Sequence, residues 1–175
     1  MRRLILRGGA FGLRSLATVF FLSVSACSEI PVDSPLANAR TSPESLARAA
    51  LEALNAGDGD ALDSLRVTRE EYESLLWPAL PDRNHVPFDF VWSITDPRSR
   101  KARREVMSEY EGIPLEFVKV DLGEDIESYD ELTVFREARM TVRRADTGVE
   151  GMIPLMDALV EMGGGWKFLN FGEDL

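Results

Sequence analysis

The sequence predicts an α+β fold, with N-terminal helices packed on one face of a curved antiparallel sheet. Three observations lead there. Helical apolar spacing dominates the first half of the exported chain, between Ser42 and Tyr110. Alternating β-formers dominate the second half, from Leu115 onward. The elements are grouped, helices leading and strands trailing, and do not alternate in the way of parallel βαβ units. With 45% apolar and 29% charged residues in 175, the composition excludes a disordered, collagen-like or polytopic membrane chain.

The first 26 residues form a separate segment. They hold four arginines (Arg2, Arg3, Arg7, Arg14) and no acid, followed by an apolar stretch from Leu16 to Val24. That stretch is too short to span a bilayer as a helix. Val24-Ser25-Ala26 then precedes Cys27, the only cysteine. A basic head, a short apolar centre and small residues at a cleavage point make a secretory signal. The segment resembles the lipobox of bacterial lipoproteins, which implies acylation of Cys27 and anchoring in the cell envelope. Ser28, in place of an aspartate retention signal, points to the periplasmic face of the outer membrane. Arg2-Arg3 opens no twin-arginine pattern, so general export is expected.

Removing residues 1–26 takes away four of the 20 basic residues and none of the 30 acidic ones, moving the charge from −10 to −14. A chain this acidic is a poor nucleic-acid binder, and its net charge disfavours close attraction to anionic lipid, so the acyl chains would do the anchoring. With one histidine, and its one cysteine acylated, it has no His- or Cys-rich metal centre and no disulfide, and no cofactor is implied.

Residues 27–41 carry Pro31, Ser34, Pro35 and Asn38 and read as a flexible tether, leaving 42–175 as one domain. Ser42-Pro43-Glu44 combines an N-cap, a proline at the first helical position and an acid in the first turn. Leu46, Ala49, Ala50, Ala53 and Leu54 continue it, and Asn55-Ala56-Gly57 stops it. Asp58 to Leu65 predicts a second short helix. Thr68-Arg69-Glu70-Glu71 is a capping box for a third, which ends before Pro78. Phe88 to Trp92 reads as a short strand, and Asp96-Pro97 as the start of a fourth helix ending at Gly112. Strands are expected over Leu115–Leu122, Leu132–Val142, Val149–Val160 and Trp166–Phe171, with a hairpin at Asp146-Thr147-Gly148.

The order and composition resemble the nuclear transport factor 2-like superfamily, a cone of helices and curved sheet shared with ketosteroid isomerase, scytalone dehydratase and polyketide cyclases. The residues carrying the resemblance are Leu46 to Asp58, a helix closing on Ala-Gly-Asp, and Gly164-Gly165-Trp166-Lys167-Phe168 at the entry to the last strand. It implies an apolar pocket between sheet and helices, with an Asp or a His–Asp pair inside it in the enzymes. Those catalytic residues do not map onto this chain.

Three residues are candidates for binding a ligand. Arg136 shares a strand face with Leu132, Val134, Ala138, Met140 and Val142; if that face lines the cone, its guanidinium projects inward and needs an anionic partner or a ligand, the alternative being that it snorkels out at the sheet edge. Asp157 is the only charge between Gly151 and Val160 and the natural internal partner. A two-residue turn at Asp146-Thr147 sets Arg136 opposite Asp157, whereas a three-residue turn with Gly148 left-handed sets it opposite Ala158 and Asp157 against Glu137. Gly148 favours the second register and the like-charge pair the first. Trp92 is the aromatic best placed to line a pocket; Trp77, Phe88, Phe90, Phe117 and Trp166 are explained equally well as core.

His85, in a proline-flanked loop, is the one side chain whose ordinary pKa suits proton transfer near neutrality. Arg98, Arg100, Lys101, Arg103 and Arg104 read as a solvated helix face with Glu105 in reach of Lys101, or as a contact for anionic lipid headgroups. Phe135, Leu155 and Leu159 could form an outer sheet face for a homodimer.

No base with an orienting partner can be read from the sequence. A module binding a small apolar or acidic ligand, or an envelope protein, is therefore expected ahead of an isomerase, dehydratase or hydrolase using Asp157 or His85.

Overall fold

The computed structural model describes residues 33–172, and the fold is α+β with antiparallel sheets. Helix α1 (Pro43–Ala56) starts as its sequence dictates: the Ser42 hydroxyl accepts from the Ser45 amide, and Gly57 closes the helix at φ 68°. Helix α2 (Gly59–Ser64) is capped by Asp58. Helix α3 (Arg69–Glu71) opens with the Thr68–Glu71 capping box and runs into a π-helical turn, Tyr72–Leu76. A 3₁₀ turn at Pro81–Asn84 precedes the long helix α4 (Phe88–Tyr110).

Helix α4 corrects the reading of Phe88–Trp92 as a strand. The run is too short for its period to decide between strand and helix. In the helix Phe88, Trp92 and Ser99 turn inward at i, i+4 and i+11, while Phe90 faces out. Pro97 lies inside the helix, not at its start. It cannot donate to the Ser93 carbonyl. Nearby, the Ser93 and Thr95 hydroxyls donate to the carbonyls of Phe90 and Val91.

Among the described residues seven strands follow: β1 (Leu115–Asp121), β2 (Ile126–Tyr129), β3 (Leu132–Phe135), β4 (Arg139–Arg144), β5 (Glu150–Ile153), β6 (Met156–Met162) and β7 (Gly165–Phe171). They make two sheets, ordered β1-β4-β5 and β2-β3-β6-β7. The two long strands expected from alternation are both broken. Leu132–Val142 divides at Arg136–Ala138, where Glu137 adopts a left-handed φ of 59°. Val149–Val160 divides at Pro154-Leu155, since a proline has no N–H for the ladder.

The break also resolves the register, in a way neither turn anticipated. Met140 faces Ile153 in the β4–β5 pair, and Phe135 faces Leu159 in the β3–β6 pair. The two pairs are out of phase by one residue. Each register holds in one sheet, and Arg136–Ala138 is where they change over. At the hairpin, Gly148 is left-handed at φ 71° and donates to Arg144, which in turn donates to Val149.

Buried side chains lie on both faces of the four-stranded sheet, which corrects the expectation of helices on one face only. Phe135, Leu159 and Phe168 join α1, α2 and β4 in the larger cluster. Val134 and Val160 join Leu36, Tyr72, Leu76 and Phe88 in the smaller one. Leu155 and Leu159 are fully buried, and Phe135 packs on Trp166 at 4.7 Å between ring centres. The suggested dimer face is therefore interior.

The expectation of a tether reaching Thr41 also needs correction. Leu36 and Ala39 are buried, the Ser34 hydroxyl donates to the Met162 carbonyl, and Arg40 exchanges backbone hydrogen bonds with Trp166. Two apolar residues among prolines suffice to dock this segment on β7. Cys27 and the start of the tether lie outside the described residues. No helix among the described residues is long and apolar enough to cross a membrane.

Candidate functional site

The breaks in the long strands open a cleft of about 760 Å³ between α4, the α3 turn and the four-stranded sheet. Arg136, Asp157 and Trp92 all line it. They come from three places: the kink between β3 and β4, the start of β6, and the second turn of α4. Bulges and strained backbone of this kind aim side chains out of a regular ladder. The opposite strand is irregular too, with register shifts in the β6–β7 pair around Asp157 and Ala158.

Arg136 does not pair with Asp157. Its Nη2 donates to Glu127 Oε2 at 3.1 Å, and its backbone N–H to the Asp125 carbonyl at 2.9 Å. The kink swings the side chain off the apolar face it would share with Val134 and Ala138, so it lies half-exposed at the cleft beside β2. Partial burial pulls its pKa down, but Glu127, helped by the charges of Asp125 and Tyr129, holds it above the ordinary arginine value. The Tyr129 hydroxyl also donates to Glu127 Oε2, at 2.7 Å. That bond, then Arg136, keeps the Glu127 carboxyl below its usual range against slight desolvation.

Asp157 Oδ2 accepts from Asn170 Nδ2 at 3.1 Å. Among the described residues no hydrogen-bond donor meets the carbonyl oxygen of Asn170, although that atom is buried. Trp92 packs edge-on against Tyr72 at 6.0 Å and stacks on Phe88 at 6.1 Å. The Arg66 guanidinium lies 5.6 Å from its ring centre and is fixed by Asp96 at 2.6 Å. Burial raises the Asp96 pKa, but Arg66 and Arg100 together hold the carboxyl below its ordinary value.

Of the remaining candidates Trp77 and Arg98 also line the cleft; the others lie elsewhere. His85 is exposed and does not line the cleft. The basic residues of α4 are largely paired along the surface, Lys101 with Glu105 at 3.4 Å, Arg100 with Asp96 at 2.8 Å and Arg103 with Asp63 at 3.2 Å. Phe117 lies under Arg48, 4.2 Å from the ring centre. Among the described residues no group of three His, Cys, Asp or Glu side chains could hold a metal.

Sequence reasoning missed Glu127, Tyr129 and Asn170. The first two sit on a four-residue strand whose only signal is alternation ahead of the Asp130-Glu131 turn. Asn170 lies among the apolar residues of β7, and its role depends on the irregular pairing with β6. The arrangement offers four guanidinium groups (Arg66, Arg98, Arg136, Arg139), four carboxylates (Asp125, Glu127, Glu137, Asp157) and an aromatic wall around one opening. That is the chemistry of a polar ligand site, with groups that can pair an anion and stack a planar body.

No known protein family matches the chain, and no curated protein or solved structure matches it either.

Proposed function

We infer that the protein is a lipid-anchored cell-envelope protein whose cleft binds a small ligand. The observation that carries the binding half is the convergence of Arg136, Asp157 and Trp92 on one opening where both long strands break. A regular sheet would have put Arg136 against the core and left no cleft beside it. The anchoring half rests on the leader, with its four arginines, short apolar centre and Cys27 after Val-Ser-Ala. On this reading Cys27 is acylated and the domain hangs from the periplasmic face of the outer membrane. The arrangement of helices against antiparallel strands supports a nuclear transport factor 2-like cone, here with a sheet split in two and a second layer on its other face.

Native mass spectrometry of the segment from Ser28 to Leu175, exported and purified gently, tests the binding half. A retained small molecule that is lost in Arg136→Ala supports the reading. A clean species with no adduct, and no uptake of small acidic or apolar compounds, removes it.

A pocket enzyme of the isomerase, dehydratase or hydrolase type is the second reading. The observation favouring it is the Asn170 amide on the Asp157 carboxylate, which would orient a base toward the cleft. Of Asp157 and His85, Asp157 is the one that lines the cleft, so proton transfer on this reading falls to it.

A further inference from the structure

Two of the large exposed apolar side chains share one helix face. Phe90 is 59% exposed and Ile94 38%, and four residues apart on α4 they lie one turn above the other. Neither lines the cleft. Lys101 follows on the same face, seven residues beyond Ile94 and exposed beside Glu105 at 3.4 Å, whereas Arg98 lines the cleft. The eighteen residues from Trp77 to Ile94 hold one arginine and two aspartates. This is a weakly charged stretch in a chain whose exported part carries −14.

The same end of the molecule is where the chain enters the fold. Leu36 belongs to the same buried cluster as Tyr72 and Phe88, the Ala37 amide donates to Glu71, and Ser34 is tied to Met162. Phe88 is the first residue of α4, two before Phe90. From Asp33 back to Cys27 is six residue steps, at most about 20 Å of fully extended chain.

We propose that the Phe90–Ile94 face of α4 is the surface the protein lays on the lipid bilayer, with Lys101 meeting headgroup phosphates beyond it. The proposal rests on the acylation of Cys27. An acyl chain there keeps residue 33 within about 20 Å of the interface, and of the surfaces near that exit this one is apolar, aromatic and low in acid. An interfacial helix places its aromatic and aliphatic side chains at the acyl boundary and its cations at the headgroups. The docked segment 34–40 shortens the tether and so limits how far the body can turn away.

Acylation removes the only native thiol, so a cysteine introduced into the full-length, processed protein can be labelled alone. Phe90→Cys, Ile94→Cys and Met152→Cys would each carry an environment-sensitive fluorophore. Each protein is reconstituted into vesicles of phosphatidylethanolamine and phosphatidylglycerol containing a lipid-borne nitroxide quencher. Met152 is 65% exposed on β5, in the other sheet, and serves as the water-facing reference. Labels at 90 and 94 are expected to shift to the blue and to be quenched several-fold more than the label at 152. Labels at 90 and 94 as weakly quenched as the one at 152, on protein that floats with the vesicles, would overturn the proposal and leave the anchor intact. Protein that is not acylated and does not float would overturn both. The two labelled positions guard against one variant failing to fold.

Discussion

Lys167 on β7 and Glu71 at the end of α3 form a buried ion pair, 2.9 Å apart, in which Lys167 is 1% exposed. Glu71 does more than neutralise the lysine. It accepts the Thr68 amide at 2.8 Å, closing its own capping box, and the Ala37 amide at 2.7 Å. One carboxylate thus joins the N-terminal segment, the α3 turn and the last strand. Removing either partner strands a buried charge, which costs about 3–5 kcal/mol. Lys167→Met is expected to destabilise by that amount in urea unfolding, and more than the double variant Glu71→Leu, Lys167→Met does. A single variant as stable as the parent would contradict this.

The pair also has a pH signature. Burial pushes the Glu71 pKa up, but the Thr68 amide, Lys167 and the Ala37 amide outweigh it and hold the carboxyl below its usual 4.5. A carboxylate depressed in the folded state stabilises the fold above its unfolded value, and that contribution disappears as pH falls through 4.5 and below. Lys167 has only Glu71 to offset its desolvation, with Arg66 repelling it, so its pKa is lowered from 10.5. Its contribution has the same slope in a separate, alkaline window: the buried charged lysine costs stability below its folded pKa, and that cost lessens as the pH rises through it toward 10.5. Urea midpoints followed from pH 7 to pH 3 should fall, and the fall should be shallower in Glu71→Gln. Equal slopes would place the acid sensitivity elsewhere.

The strand break can be relieved locally. Glu137 holds a left-handed conformation at φ 59°, which costs a non-glycine residue about 1–2 kcal/mol. Glu137→Gly is expected to be neutral or stabilising by up to about 1 kcal/mol, measured by thermal or urea unfolding. Glu137→Val, β-branched and harder to hold there, should destabilise. A destabilising glycine would mean that the Glu137 side chain contributes more than its backbone conformation costs.

The Arg136–Glu127 pair is half-exposed, so it adds little to stability. Pairs of this kind are worth about 0–1 kcal/mol. Arg136→Ala should shift the urea midpoint slightly while abolishing retention of any ligand that depends on the guanidinium. A loss of several kcal/mol would assign Arg136 to the architecture and not to the cleft.

Leu159 distinguishes the buried sheet face from a dimer face. Its truncation to alanine should cost about 2–5 kcal/mol with no change of oligomeric mass by light scattering. A shift in mass at unchanged stability would return it to an interface.

Much of the helical half was legible because its signals are local. Ser42, Gly57, Asp58 and Thr68 each form the cap their residue type implies. The errors arose where tertiary context decided. Phe88 to Trp92 alternates well enough to be a strand, but its Phe and Trp also fit one helical face, and the Tyr72–Trp77 aromatics on the opposite wall select the helix. Alternation carried the reading straight through Arg136 and Pro154, because the pattern of buried residues persists on both sides of each break. Arg136, Asp157 and Trp92 were each singled out for their own chemistry, and the fold does bring them to one cleft. The partner of Arg136 could not be read, since Glu127 lies on a strand of four residues whose pairing depends on the kink.

The one-residue phase difference between the β3–β6 and β4–β5 pairs acts as a joint. Lengthening or shortening the Ala145–Gly148 loop would re-thread β4 against β5, but the slip would end at Arg136–Ala138. Beyond it, β3 and β6 stay aligned by β2, β7 and the Ala138 amide on the Asp157 carbonyl. The three-stranded sheet can therefore tolerate insertions that would ruin a continuous hairpin, and the opening beside Arg136 would keep its shape while the far end of the molecule varies.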